Sequence, residues 1–170
     1  MFILLDWICM SLKKSPIQKI VSGGQTGVDR AALDVAIFLE MEHGGWCPAG
    51  RRAEDGAIPE RYDLKEMSSR DYAKRTEQNV VDSDGTLVLY WAKMKGGTRL
   101  TYRLAAKHQR PRLSVDLFDK EWPTEFVRDW IATENISVLN VGGPRESSHQ
   151  GIGKLAEQFL SSVFGTSGIV

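Results

Sequence analysis

Residues 17–34, which read IQKIVSGGQTGVDRAALD, decide the fold because they join a strand, a glycine-rich turn and a helix. The apolar pair Ile20-Val21 ends at a turn with three glycines in five positions, and apolar residues then recur every three or four positions to about Leu39. Glycine lets a backbone approach a ligand closely, and a helix start offers unpaired N–H groups and a positive dipole end. We therefore expect the turn to bind an anion such as phosphate.

The same turn has a purely structural explanation. Thr26 and Asp29 have the spacing of a helix-capping box, and the glycines could simply make a tight turn between strand and helix. Asp29 would also repel a phosphate placed at the helix start. The stretch contains neither the dinucleotide pattern G-x-G-x-x-G nor the Gly-Lys-Ser/Thr of a P-loop. From this motif alone, both interpretations stay open.

Composition limits the classes of function. The chain has 170 residues, and 22 Lys and Arg balance 22 Asp and Glu, so no overall field draws it to nucleic acid or to an anionic membrane. The length and an apolar content of 42% predict one globular domain. Its two cysteines, Cys9 and Cys47, form no disulfide framework, which indicates a reducing compartment, and we expect the cytoplasm.

The apolar stretch 2–12, FILLDWICMSL, fits neither a secretory signal nor a membrane span. Its positive charges follow the apolar run, and the run is shorter than the roughly 20 residues that a span needs. We therefore expect residues 1–15 to form an arm or short helix that packs on the domain or on another subunit. A single domain over 16–165 and a frayed tail over 166–170 complete the predicted organisation.

Strand and helix patterns alternate along the rest of the domain. Strands are predicted at 44–47, 85–91, 112–116 and 136–141, and a polar loop at 48–61. Helices are predicted at 72–80, from Gly96-Gly97-Thr98 to His108, after Pro123, and from Ile152. The helix after Pro123 should carry Phe126 on its apolar face. This alternation predicts an α/β fold: a three-layer, Rossmann-like open parallel sheet of about five strands with helices on both faces. The usual strand order would place the first and third strands side by side, so that Gly23-Gly24 faces Gly96-Gly97.

Individual polar residues each have a functional and a structural interpretation. Thr98 could line a phosphate site or only cap its helix. Arg145, in a third glycine turn, could pair with a phosphate or instead with Glu146 or Asp116. Arg51, Glu54 and Asp55 lie in the predicted polar loop, where charged side chains are ordinary and do not by themselves indicate a site. Asp82 and Asp84 directly precede a strand, and this position favours a role in a turn. The three histidines are scattered, which argues against a metal site, and Cys47 fits a buried structural thiol.

Five segments together resemble the putative molybdenum carrier protein family: SGGQTGVDRAALD, GWCPAGRRAEDGAIPERY, KRTEQNVVDSDGTLVLY, GGTRLT and NVGGPRES. They span roughly residues 17–153 in the family's order. The family is related to molybdenum cofactor carriers and to the lysine-decarboxylase-like, cytokinin-activating phosphoribohydrolases. The resemblance implies a Rossmann-like domain, usually oligomeric, that binds molybdenum cofactor (molybdopterin) or a nucleotide, without a protein-ligated metal because the cofactor's own dithiolene holds it.

The resemblance and the glycine turns together give one set of predicted ligand-binding residues. They are Gly23, Gly24, Gln25, Thr26, Gly27, Asp29, Arg30, Arg75, Asn79, Gly96, Gly97, Thr98, Gly143, Pro144, Arg145 and Glu146. Thr76 and Asp84 also match the family pattern, with a structural role for Asp84 still open.

The related phosphoribohydrolases carry a catalytic Glu in the motif P-G-G-x-G-T-x-x-E. Here Gly96-Gly97-Thr98 is followed by Arg99, Leu100 and Thr101, so that acid is missing. The resemblance therefore favours a carrier that binds a phosphate-bearing small molecule without turnover. The alternative is an enzyme acting on a nucleoside phosphate, with Asp29 or Glu54 as acid or base, and a third possibility is a nucleotide-sensing assembly domain.

Overall fold

The computed structural model describes residues 17–119 and 121–165. The predicted arm at 1–15 and the predicted tail at 166–170 lie outside the described residues. In chain order the elements are β1 (Lys19–Val21), α1 (Val28–Phe38), β2 (Glu42–Gly44), β3 (Trp46–Cys47), β4 (Arg52–Ala53), β5 (Gly56–Ala57), β6 (Lys65–Glu66), α2 (Tyr72–Val81), β7 (Gly85–Tyr90), α3 (Gly96–Lys107), β8 (Arg112–Asp116), α4 (Thr124–Thr133), β9 (Val138–Gly142) and α5 (Ile152–Phe164).

Five of these strands form one parallel sheet in the order β2-β1-β9-β7-β8. Alternate side chains of the central strands, such as Leu87, Leu89 and Leu139, enter a large core with α1, α4 and α5. On the opposite face α2 packs against α3 around Val80, Leu104 and Ala105. The predicted fold class, an open parallel sheet covered by helices on both faces, is confirmed.

The predicted strand order is wrong, because β9 lies between β1 and β7. Val21 pairs with Asn140 on β9, and Asn140 in turn pairs with Thr86 on β7. Counting the strands from β9 and continuing through β1, β2, β7 and β8 turns the observed order into 3-2-1-4-5, the usual order of a dinucleotide-binding sheet. The sheet is thus a circular permutation of that order, and its switch point lies between β9 and β7.

The predicted second strand, 44–47, is in fact split between two sheets. Gly45, at φ +123°, breaks the run: β2 ends at Gly44 in the main sheet, while β3 pairs with β6. A Cβ on Gly45 would lie 2.4 Å from the Ser22 carbonyl oxygen, so only glycine fits where the chain crosses the end of β1.

The predicted polar loop, 48–61, contains the β4-β5 hairpin and is held by Arg51. The Arg51 guanidinium donates to the carbonyl oxygens of Ile58, Pro59, Tyr62 and Leu64 at 2.9–3.1 Å. Ile58, Tyr62 and Leu64 also join Leu33 and Cys47 in a second apolar cluster. Ile58 and Leu64 also lie against Gly24, so this segment covers the turn that follows β1.

The expectation for the apolar face of α4 was only partly right. Val127 and Ile131 are buried and Trp130 packs against the core, but Phe126 is 61% exposed. No helix in the described ranges is long and apolar enough to cross a membrane. The expected cytoplasmic location stays a prediction.

Candidate functional site

A cleft of about 550 Å³ opens where the strands β9 and β7 end. We call it the switch-point cleft, because the chain after β9 leads to α5 on one face of the sheet and the chain after β7 leads to α3 on the other. Of the predicted ligand-binding residues, the structure places eleven in its lining: Gly23, Gln25, Asp29, Arg75, Asn79, Gly96, Gly97, Thr98, Gly143, Pro144 and Arg145. The glycine turns thus meet at one edge, although β1 and β7 are not neighbours.

The first turn of α3 faces this cleft and is open. As in any α-helix, the N–H groups of its first residues, Gly96, Gly97 and Thr98, have no acceptor within the helix. A Cβ added to Gly96 or Gly97 would meet no described atom within 4 Å, and the turn carries no acidic residue. This turn therefore has the geometry of an anion site.

Basic side chains outnumber acidic ones around the cleft. Arg75, Lys93, Lys95 and Arg145 line it, against the single carboxylate of Asp29. Lys93, Lys95 and Arg145 are solvent-exposed, and the Arg145 guanidinium lies 5.3 Å from the centre of the Tyr72 ring. These charges favour an anionic ligand over a neutral or cationic one.

The alternative partners considered for Arg145 are engaged elsewhere. The Glu146 carboxylate accepts hydrogen bonds from the N–H groups of Gly151 and Gly153, at the start of α5. The Asp116 carboxylate accepts from the N–H groups of Ala92 and Phe118. Arg145 is therefore left facing the cleft and the Tyr72 ring.

An aromatic wall borders the cleft. Trp91 and His149 stack with ring centres 4.2 Å apart and planes 21° apart, and Tyr72 and Tyr90 also line the space. Such rings offer a flat surface to a planar heterocycle. No sequence motif indicated these residues, because aromatic residues are ordinary in cores.

The deep part of the cleft, which we call the cleft floor, consists of Gln25, Asp29 and Arg75. A guanidinium nitrogen of Arg75 lies 3.4 Å from Asp29 Oδ2, and both side chains are about nine-tenths buried. Burial raises the pKa of Asp29 above its ordinary value, although the charge of Arg75 opposes that rise. A Cβ on Gly23 would lie 1.5 Å from Arg75 Nη1, so glycine leaves room for the guanidinium.

Two buried donors of the cleft floor lack acceptors. Gln25 Oε1 accepts from the N–H groups of Thr26 and Glu54 at 3.0 and 2.9 Å, which fixes the orientation of the amide. Gln25 Nε2 and Arg75 Nε are both buried, and neither has a hydrogen-bond partner within the described part of the chain. An unsatisfied buried donor costs about 1–3 kcal/mol, so such donors are rare in folded proteins.

The start of α1, by contrast, is closed by the protein itself. The Val28 N–H donates to the Pro144 carbonyl, and the Arg30 N–H donates to the Gln25 carbonyl. A Cβ on Gly27 would lie 2.4 Å from the Pro144 oxygen, and Gly24 faces Leu64 and Ile58. The expectation that this turn presents unpaired N–H groups is therefore wrong for Val28 and Arg30. The capping-box alternative is also not observed, since Gly27 is the N-cap.

The remaining predicted residues, apart from Gly24, line a second, more open space of about 710 Å³, the outer groove. Thr26, Gly27, Arg30, Glu54 and Glu146 lie there, with Arg30 paired to Asp55. Desolvation alone would raise the pKa of Glu54, but hydrogen bonds from Ser147 and Thr26 outweigh it and hold the pKa below its ordinary value. Carboxylates dominate this groove: Asp34, Glu54, Asp55, Glu146 and Glu157.

Two predicted positions have clear structural partners. Asn79 lines the cleft, but its side-chain amide pairs with both backbone groups of Trp46, at 2.7 and 3.1 Å. Asp84 accepts hydrogen bonds from the N–H groups of Ser137 and Val138, at the amino end of β9. Asp84 thus has the structural role that the sequence left open.

Asn140 is a cleft residue that was not among the predicted site residues. It is 4% exposed in the middle of β9, and its amide donates to the Thr86 hydroxyl at 3.3 Å. A polar residue inside the apolar run ISVLNV was the available signal. Whether any of these residues binds a ligand stays a prediction.

The other groups considered for chemistry are placed as follows. Cys47 is fully buried, and desolvation raises the pKa of its thiol. Within residues 17–119 and 121–165, no group of three or more His, Cys, Asp or Glu side chains is arranged to hold a metal ion.

Comparison with known proteins places the chain in a family. The sequence model of the circularly permutated YpsA SLOG family matches residues 20–164. The crystal structure of a putative molybdenum carrier protein from Syntrophus aciditrophicus SB, at 1.45 Å resolution, superposes with a TM-score of 0.85. The two sequences are 44% identical over 90% of this chain and 98% of the other. No curated protein sequence matches this chain.

These matches confirm the resemblance to putative molybdenum carrier proteins that the sequence motifs predicted. The circular permutation that characterises this family agrees with the strand order, which becomes 3-2-1-4-5 when counted from β9. The chain belongs to the circularly permutated YpsA SLOG family.

Proposed function

We propose that the protein is a carrier that binds a phosphorylated pterin, such as molybdenum cofactor, or a related nucleotide in the switch-point cleft. The observation that carries this proposal is the open first turn of α3, whose amides and flanking lysines face the cleft. A phosphate there would accept hydrogen bonds from Gly97 and Thr98 and would be attracted by Lys93 and Lys95.

The residues present fit molybdenum cofactor in three respects. The α3 turn suits its phosphate, the aromatic wall suits its pterin ring, and a volume of about 550 Å³ lies within the usual range of small-molecule sites. The cofactor would supply its own dithiolene sulfurs as metal ligands. The protein's part would be to hold the phosphate and the ring and to shield them from water.

The alternative function is an enzyme that acts on a nucleoside phosphate. Asp29 supports it, because a buried carboxyl with a raised pKa inside a cleft is a candidate acid or base. Glu54, the other candidate, lies in the outer groove and is hydrogen-bonded to Ser147 and Thr26. Incubation with nucleoside monophosphates tests this alternative, since released base or phosphate that disappears in Asp29→Asn would support it.

Calorimetric titration with molybdenum cofactor and with a panel of nucleoside monophosphates tests the carrier proposal. Lys95→Ala should weaken binding about tenfold, since one charge beside the phosphate is lost. Lys107→Ala removes a lysine at the far end of the same helix, where it pairs with Glu77, and should leave binding unchanged. The absence of saturable binding to every compound would refute the proposal.

We also propose a homo-oligomer, as the family resemblance implies, and we propose from the apolar stretch 2–12 that residues 1–15 contribute to its assembly. Light scattering of the full chain and of a chain lacking residues 1–15 measures the mass of each. A monomeric full chain would refute the oligomer, and an unchanged oligomer after the deletion would refute the role of the arm.

A further inference from the structure

We propose that the cleft floor selects rings with the 2-amino-4-oxopyrimidine edge, the edge that guanine and pterin share, over the amino edge of adenine. This inference rests on the proposed binding of a phosphorylated ligand in the switch-point cleft and specifies which ring that ligand carries.

The cleft floor offers two donors that need an acceptor. Gln25 Nε2 and Arg75 Nε are buried without a partner among the described residues, although both side chains line the cleft. Gln25 cannot turn its amide over, because its oxygen already accepts from Thr26 and Glu54. The ring oxygen of guanine or pterin is an acceptor of the type that these donors lack. The exocyclic amine of adenine would instead place a third donor against them.

The same floor offers one acceptor beside these donors. Asp29 is 6% exposed, and it is held by the Gln25 N–H and by Arg75, both at 3.4 Å. Distances of 3.4 Å are long for hydrogen bonds to a carboxylate, so Asp29 retains capacity for shorter ones. The ring N–H and the 2-amino group of guanine and pterin are donors that suit a carboxylate. The corresponding ring nitrogen of adenine is an acceptor and would face Asp29 unfavourably.

The rest of the cleft does not discriminate between these rings. Stacking on the aromatic wall, which contains Tyr72 and the Trp91–His149 pair, would not depend on the polar edge of a planar base. Every nucleoside monophosphate presents the same phosphate to the α3 turn. Discrimination among monophosphates must therefore come from the polar groups of the cleft floor, where an unmatched buried donor is costly.

Calorimetric titration of the wild-type protein with GMP, IMP and AMP tests the inference, together with a pterin that carries a side-chain phosphate. GMP should bind at least about tenfold more tightly than AMP, since one well-formed bidentate contact discriminates by that amount. IMP, which lacks the 2-amino group, should fall between them. Comparing the affinity of the phosphorylated pterin with that of GMP shows which of the two rings with this edge the cleft binds more tightly.

The possible results separate the inference from the proposed function. Equal binding of GMP and AMP, or tighter binding of AMP, overturns the ring selection but leaves the phosphate-binding function intact. Failure of all four compounds to bind overturns both proposals.

Two variants connect the selectivity to the cleft floor. Gln25→Glu preserves the oxygen that accepts from Thr26 and Glu54 but replaces the unpaired donor by an acceptor, and Asp29→Asn removes the carboxylate. Each should reduce the GMP to AMP affinity ratio several-fold. Lys95→Ala is the matched control, because it should weaken both ligands and leave the ratio unchanged. Thermal unfolding identifies any misfolded variant, and an unchanged ratio in both folded variants overturns the inference.

Discussion

Two helix starts in this molecule carry similar glycine-rich sequences and yet have different surroundings. Both α1 and α3 follow a parallel strand, and each has a Gly-Gly pair and a threonine close to its start: before the first residue in α1, and as the first three residues in α3. At α1 the Pro144 carbonyl accepts the Val28 N–H, and the backbone of 144–146 fills the space beside Gly27. At α3 the space beside Gly96 and Gly97 is open, and lysines border it.

The difference teaches that a glycine-rich turn can serve two opposite purposes. At α1 glycine allows one segment of protein backbone to approach another, so the donors are used internally. At α3 no described atom occupies the space that the absent side chains leave, so a ligand can approach the donors. The space around the glycine, rather than the motif, decides between the two purposes, and four predictions test this distinction.

The largest effect is expected for Gly27→Ala. Its Cβ would meet backbone atoms of Pro144 and Glu146 at 2.4 and 2.8 Å, and its φ of +77° is strained for alanine. The free energy of unfolding should fall by about 3 kcal/mol or more, because backbone cannot move aside cheaply. Gly97→Ala is the matched control and should change it by less than about 0.5 kcal/mol. Urea denaturation measures both, and equal losses would contradict the distinction.

Next in size is the effect of Gly97→Asp on anion binding. A carboxylate in the first turn of α3 would repel phosphate and should weaken nucleotide binding about tenfold or more. The same charge favours the helix dipole and should raise stability by about 0.5 kcal/mol. Thr124→Asp adds an acid to the first turn of α4, outside the cleft, and should leave binding unchanged. Calorimetric titration measures the binding, and thermal unfolding measures the stability. A loss of binding accompanied by a loss of stability in Gly97→Asp would refute the prediction.

The pH dependence of stability should reveal Asp29. Because burial raises its pKa in the folded protein, the folded state holds its proton to higher pH than the unfolded state does. Stability should therefore fall as the pH rises from about 3.8 through the folded pKa, with a slope of at most about 1.4 kcal/mol per pH unit.

Asp29→Asn has no such proton and should remove this part of the slope. Urea denaturation of both proteins at a series of pH values makes the comparison. If the free energy of unfolding depends on pH in the same way in both proteins, the pKa of Asp29 is not raised in the folded state.

The smallest effect is expected for Glu54→Gln, which weakens the hydrogen bonds beside the closed start of α1. Glu54 accepts from Thr26 and Ser147, but it is exposed, so the loss at pH 7 should stay below about 1 kcal/mol. Its lowered pKa means that its contribution is present above about pH 4.5 and is lost as the pH falls through the folded pKa. The difference from wild type should therefore vanish in acid. Glu157→Gln, in the same groove, is the control and should not show this pH-dependent difference from wild type.

The sequence predicted the elements well where local pattern decides them. The apolar run of β7, the periodic residues of α1 and α5, and the three glycine turns lie where they were expected. The strand order was not predictable in this way, because the pairing of β9 with both β1 and β7 is a long-range contact. The split at Gly45 was missed because the run GWC is apolar throughout, whereas the crossing at Ser22 is tertiary.

The candidate site shows the same limit. The lining residues Gly96, Gly97, Thr98 and Arg145 were recognisable from motifs, but Glu54 and Arg30 could not be assigned to a different groove without coordinates. Tyr72 and Trp91 carry no sequence signal that separates a cleft wall from a core. The unpaired donors of Gln25 and Arg75 are visible only once every neighbouring acceptor has a position.

The central position of β9 has a consequence for how the protein is made. During synthesis, β1 and β7 are made before β9, the strand that lies between them in the sheet. Until β9 is made, one edge of β1 and one edge of β7 therefore lack their partner strand. Nascent chains truncated before Val138 should therefore expose these edges and depend on chaperones, whereas completion of β9 closes the sheet in one step.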